Sequence, residues 1–163
     1  MPADLFRRLP LEPGESVLAA AQDRDERWYV GTARALLVPD HDAWRRLPWE
    51  TIERAMWDRD NDHLLVVETA DFGRPQPQHR AALPEPERLL ELVRERITAS
   101  VVIKVFEPVQ GKRGVTVSGR RSPHTDDELT WAVLVDPGLD ETSEPVRAAA
   151  RRALEAAQSE LGM

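Results

Sequence analysis

The sequence PEPERLLELVRERITAS, residues 84–100, is the stretch that decides the fold class, because it carries the clearest helical pattern in the chain. Its apolar residues recur at helical spacing on one face, and Glu91 and Glu95 stand beside arginines on the other. Proline suits the first turn of a helix. We therefore predict an amphipathic helix over residues 86–98 that packs against a sheet. Its apolar face comprises Leu89, Leu92, Val93 and Ile97.

Short runs rich in β-branched and aromatic residues precede this helix, and such runs are typical of strands. Clusters of polar turn residues separate several of them. We predict strands at residues 15–22, 27–32, 33–39 and 63–70, with a weaker one at 78–83.

The segment WRRLPWETIERAMWDRD, residues 44–60, fits both a strand period and a helical period. Pro48 would interrupt a helix, and the three tryptophans suit a pleated surface. We therefore favour a single strand with a bulge near Thr51.

The part of the chain that follows the first helix repeats the pattern of strands closed by a helix. Residues 101–109, 114–120 and 128–135 are predicted strands, and the glycine-bearing turn QGKRG joins the first two. A second helix is predicted over residues 144–161, with Ser143 as its N-cap and Pro145 in its first turn. Runs of strands closed by helices indicate an α+β fold with antiparallel sheet.

Three segments resemble the bacterial pleckstrin-homology-like (GRAM-like) domain. They are RWYVGTARALLV at 27–38, RRLPWETIERAMWD at 45–58 and LLELVRERITASV at 89–101. The chain looks like actinobacterial proteins in which such a domain is followed by a strand-rich tail and a final helix. This resemblance implies an antiparallel seven-stranded barrel closed by one amphipathic helix, a scaffold that supports many kinds of binding.

The domain organisation follows from these patterns. Prolines at positions 2, 10 and 13 predict an extended lead-in over residues 1–13. We expect the barrel and its closing helix to occupy residues 14–100, and a β-meander with a C-terminal helix to occupy residues 101–163.

Composition and charge narrow the classes of partner. The 163 residues carry a formal charge of −7 and no cysteine, and no apolar run is long enough for a signal peptide or a membrane span. We expect a cytoplasmic protein without a general affinity for nucleic acid or anionic membranes. The loop from Ala21 to Arg27, where lipid-binding members of the family cluster basic residues, carries three acids and two arginines, which argues against a phosphoinositide site.

The sequence contains no recognisable catalytic or metal-binding motif, so we expect neither an enzyme nor a cofactor. Asp58, Asp60 and Asp62 have the spacing of a calcium loop, but His63 replaces its essential glycine and the glutamate at its twelfth position is missing. We interpret this segment as a polar turn. The histidines are scattered, and no serine lies in a nucleophile motif.

Two features remain as candidates for binding. The five tryptophans are expected to pack in the core or at the barrel mouth, although an exposed one would be available for stacking on a ligand. Residues 104–121 carry five basic residues and one acid, whereas residues 122–144 carry seven acids and no lysine or arginine. The candidate anion-binding residues are Lys112, Arg113, Arg120 and Arg121.

The basic hairpin tip allows two interpretations. Its glycines would expose backbone N–H groups beside Lys112 and Arg113, which suits a phosphate or carboxylate. Alternatively, the acidic stretch from Asp126 to Glu144 neutralises these charges within the molecule.

For the whole chain we predict a non-catalytic binding or scaffolding module for a protein partner. The alternatives are a small-ligand carrier or enzyme that uses a barrel pocket, and an anion-binding or nucleic-acid-binding protein that uses the hairpin.

Overall fold

A computed structural model of the chain describes residues 1–122 and 128–163. These residues form an α+β fold with three α-helices, one short 3-10 helix and ten strands. In chain order the elements are α1 Ala3–Arg7, β1 Val17–Gln22, β2 Trp28–Thr32, β3 Ala35–Asp40, β4 Ala43–Pro48, the 3-10 helix Trp49–Thr51, β5 Ile52–Asp58, β6 His63–Glu68, β7 Gln78–Ala82, α2 Glu87–Ser100, β8 Val101–Gln110, β9 Arg113–Arg120, β10 Thr130–Val135 and α3 Glu144–Glu160.

The chain divides into two compact units. Unit 1 comprises Met1–Glu68 and Gln78–Ala99, and unit 2 comprises Thr69–Pro77 and Ser100–Met163. Among the helices of the described residues, none is long and apolar enough to cross a membrane.

The strands form three antiparallel sheets, which confirms the predicted α+β class. Unit 1 contains a four-stranded sheet in the order β1-β2-β3-β4 and a three-stranded sheet in the order β5-β6-β7, and unit 2 contains β10-β9-β8. Seven strands therefore precede α2, one more than the six runs predicted from local patterns, because residues 44–60 contribute two strands. Over residues 1–122 and 128–163, however, no strand pairing closes these sheets into a barrel.

Two predicted segments differ from the structure. Residues 44–60 are not one bulged strand, because the 3-10 helix Trp49–Thr51 divides them into β4 and β5, which belong to different sheets. Trp49 is fully buried and its indole N–H donates to the Thr32 carbonyl at 2.9 Å, so the chain turns inward at this point. The lead-in is not wholly extended either, since Ala3–Arg7 forms a short helix between the prolines at positions 2 and 10.

Helix α2 closes the inner core of unit 1 with the predicted face. Leu89, Leu92 and Val93 are buried against both sheets, and Ile97 packs at the margin of the same cluster. Gly31 on β2 allows this close approach, because a Cβ there would lie only 2.5 Å from Leu92 Cδ2.

The four-stranded sheet of unit 1 is also covered on its outer face. The residues before β1 supply Leu9, which joins Val30, Ala35 and Leu37 in a second buried cluster. Leu36 and Val38 belong to the inner core, so β3 is buried on both faces. This explains why its sequence is an almost uninterrupted apolar run.

Unit 2 packs α3 against the sheet of β8, β9 and β10. Strands β8 and β9 form the hairpin predicted from QGKRG, with Gly111 at a positive φ of 59° in the turn. The buried residues of this core are mainly valines of β9 and alanines of α3, and they are Val115, Val117, Val146, Ala149, Ala150 and Ala153.

Candidate functional site

An open cleft of about 700 Å³ lies at one end of the four-stranded sheet in unit 1. Three chain segments form its walls: helix α1, the β1–β2 turn and the β3–β4 turn. The two turns lie at the same end because successive antiparallel strands reverse direction. We call this the tryptophan cleft, and its main lining residues are Asp4, Arg8, Glu26, Trp28, Pro39, His41, Asp42 and Trp44.

A row of three rings crosses the sheet at the base of the cleft. The register pairs Pro39 with Trp44, and it pairs Val30 with Leu37. Continuing the Val30–Leu37 register by two residues sets Trp28 opposite Pro39. The two tryptophans thus flank the proline from strands β2 and β4, at least two strand spacings or about 10 Å apart.

The tryptophans of this row are half-buried. Trp28 and Trp44 pack part of their surface against the outer core of unit 1 and leave the remainder accessible in the cleft. Trp49, in contrast, is sealed in the inner core. The expectation of core packing therefore holds for Trp49, while Trp28 and Trp44 are available for stacking on a ligand.

Some charged groups of the cleft have ion-pair partners and others do not. Arg27 donates to Asp23 Oδ2 at 2.9 Å and lies 3.7 Å from Asp25, so its charge is already neutralised. Within residues 1–122 and 128–163, the carboxylates of Asp4, Glu26 and Asp42 form no ion pair or side-chain hydrogen bond. The cleft therefore presents three unpaired carboxylates beside two indole rings, with Arg8 as its unpaired arginine.

The two turns that carry these groups are held in defined conformations. Asp23 is buried, and its Oδ1 accepts hydrogen bonds from the backbone N–H groups of Asp25 and Arg27 at 2.9 and 2.8 Å. Glu26 and His41 adopt positive φ angles of 64° and 53°, one in each turn. Non-glycine residues in this region are uncommon and are often found at ligand-binding sites.

The predicted basic hairpin differs from this cleft. Lys112 and Arg113 are exposed at the tip. The Gly114 N–H is not available to an anion, because it donates to Asp136 Oδ2 at 2.8 Å and the ring of Phe106 covers the residue. The expectation that both glycines expose free backbone donors is therefore wrong for Gly114.

The other two candidate anion-binding residues lie at the far end of β9, about 23 Å from the tip. Arg120 is only 2 % exposed, and its Nη1 donates to the Ser100 hydroxyl at 3.2 Å, so it is not a surface contact. Arg121 is half-buried, with its backbone N–H donating to the Ser100 carbonyl. Of the acidic stretch, Asp126 and Asp127 lie outside the described residues, as does His124.

His79 has a close carboxylate partner, whereas the exposed His41 lies 4.0 Å from Asp40. His79 Nε2 lies 2.7 Å from Glu68 Oε2, and Arg45 donates to both oxygens of the same carboxylate. Burial raises the pKa of Glu68, but the hydrogen bonds from Arg45 and His79 outweigh it and lower that pKa. The described part of the chain shows no nucleophilic hydroxyl hydrogen-bonded to His79 and no cluster of three potential metal ligands.

The segment of Asp58, Asp60 and Asp62 is a polar turn between β5 and β6, as predicted. Asp58 Oδ1 accepts from the backbone N–H groups of Asp60 and Asn61 at 3.0 and 3.3 Å, and Asn61 donates its side-chain amide to Asp58 Oδ2. The Asp58 carboxylate is therefore used within the turn.

Comparison of the chain with models of protein families, with curated protein sequences and with solved structures found no match.

Proposed function

We propose that this protein is a non-catalytic binding module whose tryptophan cleft receives a positively charged segment of a partner protein. The observation that carries the proposal is the pairing of two accessible indole rings with three unpaired carboxylates. A cation over an aromatic face is attracted to the ring, and nearby carboxylates strengthen that attraction.

The dimensions of the cleft favour a peptide segment. Its volume of about 700 Å³ exceeds the need of a single side chain and lies within the range of pockets that hold a short peptide or a drug-sized ligand. The two indoles stand about 10 Å apart, so one extended chain can pass between them. Arginine suits this setting better than lysine, because its planar guanidinium stacks on rings and is less strongly hydrated.

A fluorescence titration tests this proposal. An acetylated, amidated hexapeptide of alternating arginine and alanine should quench or shift the tryptophan emission saturably, whereas the same peptide with glutamate for arginine should not. Replacing Trp28 or Trp44 by alanine should weaken binding about 5- to 30-fold, which corresponds to about 1–2 kcal/mol for a desolvated cation–π contact.

Charge variants supply the matched control. Asp42→Asn removes a carboxylate from the cleft, while Glu91→Gln removes one from the exposed face of α2 in the same unit. The first should weaken the arginine peptide several-fold and the second should leave it unchanged. Equal effects of the two variants would mean that the peptide is attracted only by the overall charge of −7. That result would reject the cleft as the binding site.

The order of elements in unit 1 supports a pleckstrin-homology-like scaffold for this function. A four-stranded and a three-stranded antiparallel sheet are followed by one amphipathic helix, which matches the count of elements that the sequence resemblance implies. In such a scaffold the loops at one end of the sheets form the natural binding region. A cytoplasmic location is consistent with this function, because a cysteine-free module needs no oxidising compartment.

The basic hairpin is a second candidate for contact with an anionic partner, because Lys112 and Arg113 are exposed and form no ion pair among residues 1–122 and 128–163. Replacing both by alanine should weaken binding of heparin at low salt and leave the fold intact. Equal and negligible heparin binding by both proteins would remove the hairpin from consideration.

A further inference from the structure

Unit 2 contains its own pocket of about 530 Å³, which differs from the tryptophan cleft in chemistry. One wall is a stripe of helix α3 in which arginines and apolar residues occupy positions one turn apart. The facing wall comes from the segment before β7, from β10 and from the loop before α3. The lining residues are Phe72, Gly73, Val133, Glu141, Thr142, Arg147, Ala150, Arg151 and Leu154.

The floor of this pocket is apolar and incompletely covered. Ala150 belongs to the buried core of unit 2, and Val133 and Leu154 pack against that core while remaining partly accessible. Phe72 stands on the facing wall with 38 % of its surface exposed. A ligand with a hydrocarbon tail would therefore remove apolar surface on both sides from water.

The two arginines at the rim of the pocket differ in their ion pairing. Arg151 donates to Glu144 Oε1 at 2.7 Å, so its charge is balanced. Arg147 is exposed and has no ion-pair partner within 4.0 Å among the residues that the structure describes. Its charge nevertheless acts on Asp140, because hydrogen bonds from Thr142 lower the pKa of that carboxyl and the positive charge of Arg147 adds to the shift. Thr142 is engaged with Asp140, since its hydroxyl donates to Asp140 Oδ1 at 2.6 Å. The guanidinium of Arg147 is thus the rim cation without a direct ion pair beside the apolar floor, and Glu141 and Asp140 are the acids that oppose an anion there.

From this arrangement we infer that the pocket of unit 2 binds a single-chain amphiphile with an anionic head, of the fatty-acid type. The hydrocarbon tail lies on Phe72, Val133 and Leu154, and the carboxylate meets Arg147. Charge complementarity selects this occupant, because a neutral chain would leave the guanidinium unpaired and a cationic chain would be repelled. The inference does not depend on the tryptophan cleft, which lies in unit 1.

Isothermal titration of the full chain with dodecanoate, below the concentration at which it forms micelles, tests the inference. Dodecanoate should bind with one-to-one stoichiometry. Decanoate should bind about 15-fold more weakly, because two fewer methylenes are buried. Dodecyltrimethylammonium, which has the same tail and the opposite charge, should bind far more weakly than dodecanoate.

Four variants locate the binding. Arg147→Gln should weaken dodecanoate about tenfold or more through loss of the charge-assisted contact, and Phe72→Ala should weaken it by a similar factor. Glu141→Gln should tighten it a few-fold. Arg59→Gln, which removes an exposed arginine from the β5–β6 turn of unit 1, is the matched control and should change nothing.

Circular dichroism of each variant confirms that the fold persists. Three results would overturn the inference: affinity that is independent of chain length, equal binding of the anionic and cationic amphiphiles, or equal affinities of Arg147→Gln and wild type. Co-sedimentation with phosphatidylglycerol vesicles without binding of free dodecanoate would also overturn it, since the ligand would then be a membrane surface.

Discussion

The two ends of the four-stranded sheet in unit 1 are built from the same residue types and differ in whether those residues are satisfied. At the closed end, Arg46 donates to both oxygens of Glu15 at 2.7 and 2.8 Å, and the Thr32 hydroxyl donates to Glu15 at 2.6 Å. Trp49 is buried there with its indole N–H bonded. At the cleft end the indoles are half-buried, and the carboxylates of Asp4, Glu26 and Asp42 lack partners among the described residues.

This difference indicates that the two ends of the sheet have different roles, one in stability and one in binding. Buried polar groups that have all their hydrogen bonds stabilise one conformation. Polar groups that have no protein partner at the surface remain able to bind a ligand. The closed end also holds the residues before β1 in place, because Glu12 lies 3.4 Å from Arg34 and Glu15 is clamped by Arg46. These contacts fix the segment that joins helix α1, one wall of the cleft, to strand β1.

The largest expected effect contrasts the tryptophans of the two ends. Trp49→Ala should lower the free energy of unfolding by about 3–5 kcal/mol, because it creates a cavity in the inner core and leaves the Thr32 carbonyl without its donor. Trp44→Ala should cost about 1 kcal/mol, since the side chain is only half-buried and water fills the space. Urea unfolding of both variants measures the difference, and similar losses would mean that the cleft tryptophans are core residues.

The second contrast concerns the buried carboxylate of the closed end. Burial raises the pKa of Glu15, but hydrogen bonds from Arg46 and Thr32 outweigh it and lower the pKa from 4.5 to about 2. A lowered carboxylate pKa stabilises the fold above its unfolded value, and that stability is lost as the pH falls from about 4.5 towards 2. Glu15→Gln should therefore cost about 3 kcal/mol at pH 7.

Urea unfolding at pH 7 and at pH 2 distinguishes this charge effect from a packing effect. The wild type and Glu15→Gln should differ at pH 7 and have nearly equal stability at pH 2, where the unfolded chain is fully protonated at Glu15 and the folded protein is about half protonated there. An undiminished difference at pH 2 would show that the carboxylate charge is not what stabilises the closed end.

The smallest effect is expected at the cleft end. Replacing Glu26 by glutamine and Asp42 by asparagine together should change the free energy of unfolding by less than about 0.5 kcal/mol, because neither carboxylate has a partner in the part of the chain that the structure describes. Thermal unfolding at neutral pH is sufficient to check this. A loss comparable to that of Glu15→Gln would show that these carboxylates support the fold and are not held ready for a ligand.

Local patterns predicted the elements of the fold better than their arrangement. The apolar face of α2 and the β8–β9 turn are local features, and both are confirmed. The break at Trp49 was missed because it depends on a bond to Thr32, seventeen positions away, which no short window contains. The helix Ala3–Arg7 was missed because prolines at positions 2 and 10 leave just enough chain between them for one turn.

The candidate site was the least predictable feature for the same reason. Trp28 and Trp44 are sixteen residues apart in sequence and are brought into one row by the strand register of β2, β3 and β4. The burial of Arg120 likewise depends on tertiary packing, which cannot be inferred from the number of charges in a sequence segment. The one sequence signal for this site is the position of the polar turns. A tight turn at His41 and Asp42 places Pro39 opposite Trp44 on the neighbouring strand.

The contrast between the two ends can be tested directly by the indole N–H resonances of the five tryptophans in a ¹⁵N-labelled sample. The arginine–alanine hexapeptide is added stepwise while each indole signal is followed, with assignments from single Trp→Phe variants. We expect the signals of Trp28 and Trp44 to shift saturably and together, while the signal of Trp49 stays in place because its N–H is bonded to Thr32. Unmoved signals of Trp28 and Trp44 at saturating peptide, or a shift confined to the other tryptophans, would contradict the assignment of the binding site to the cleft.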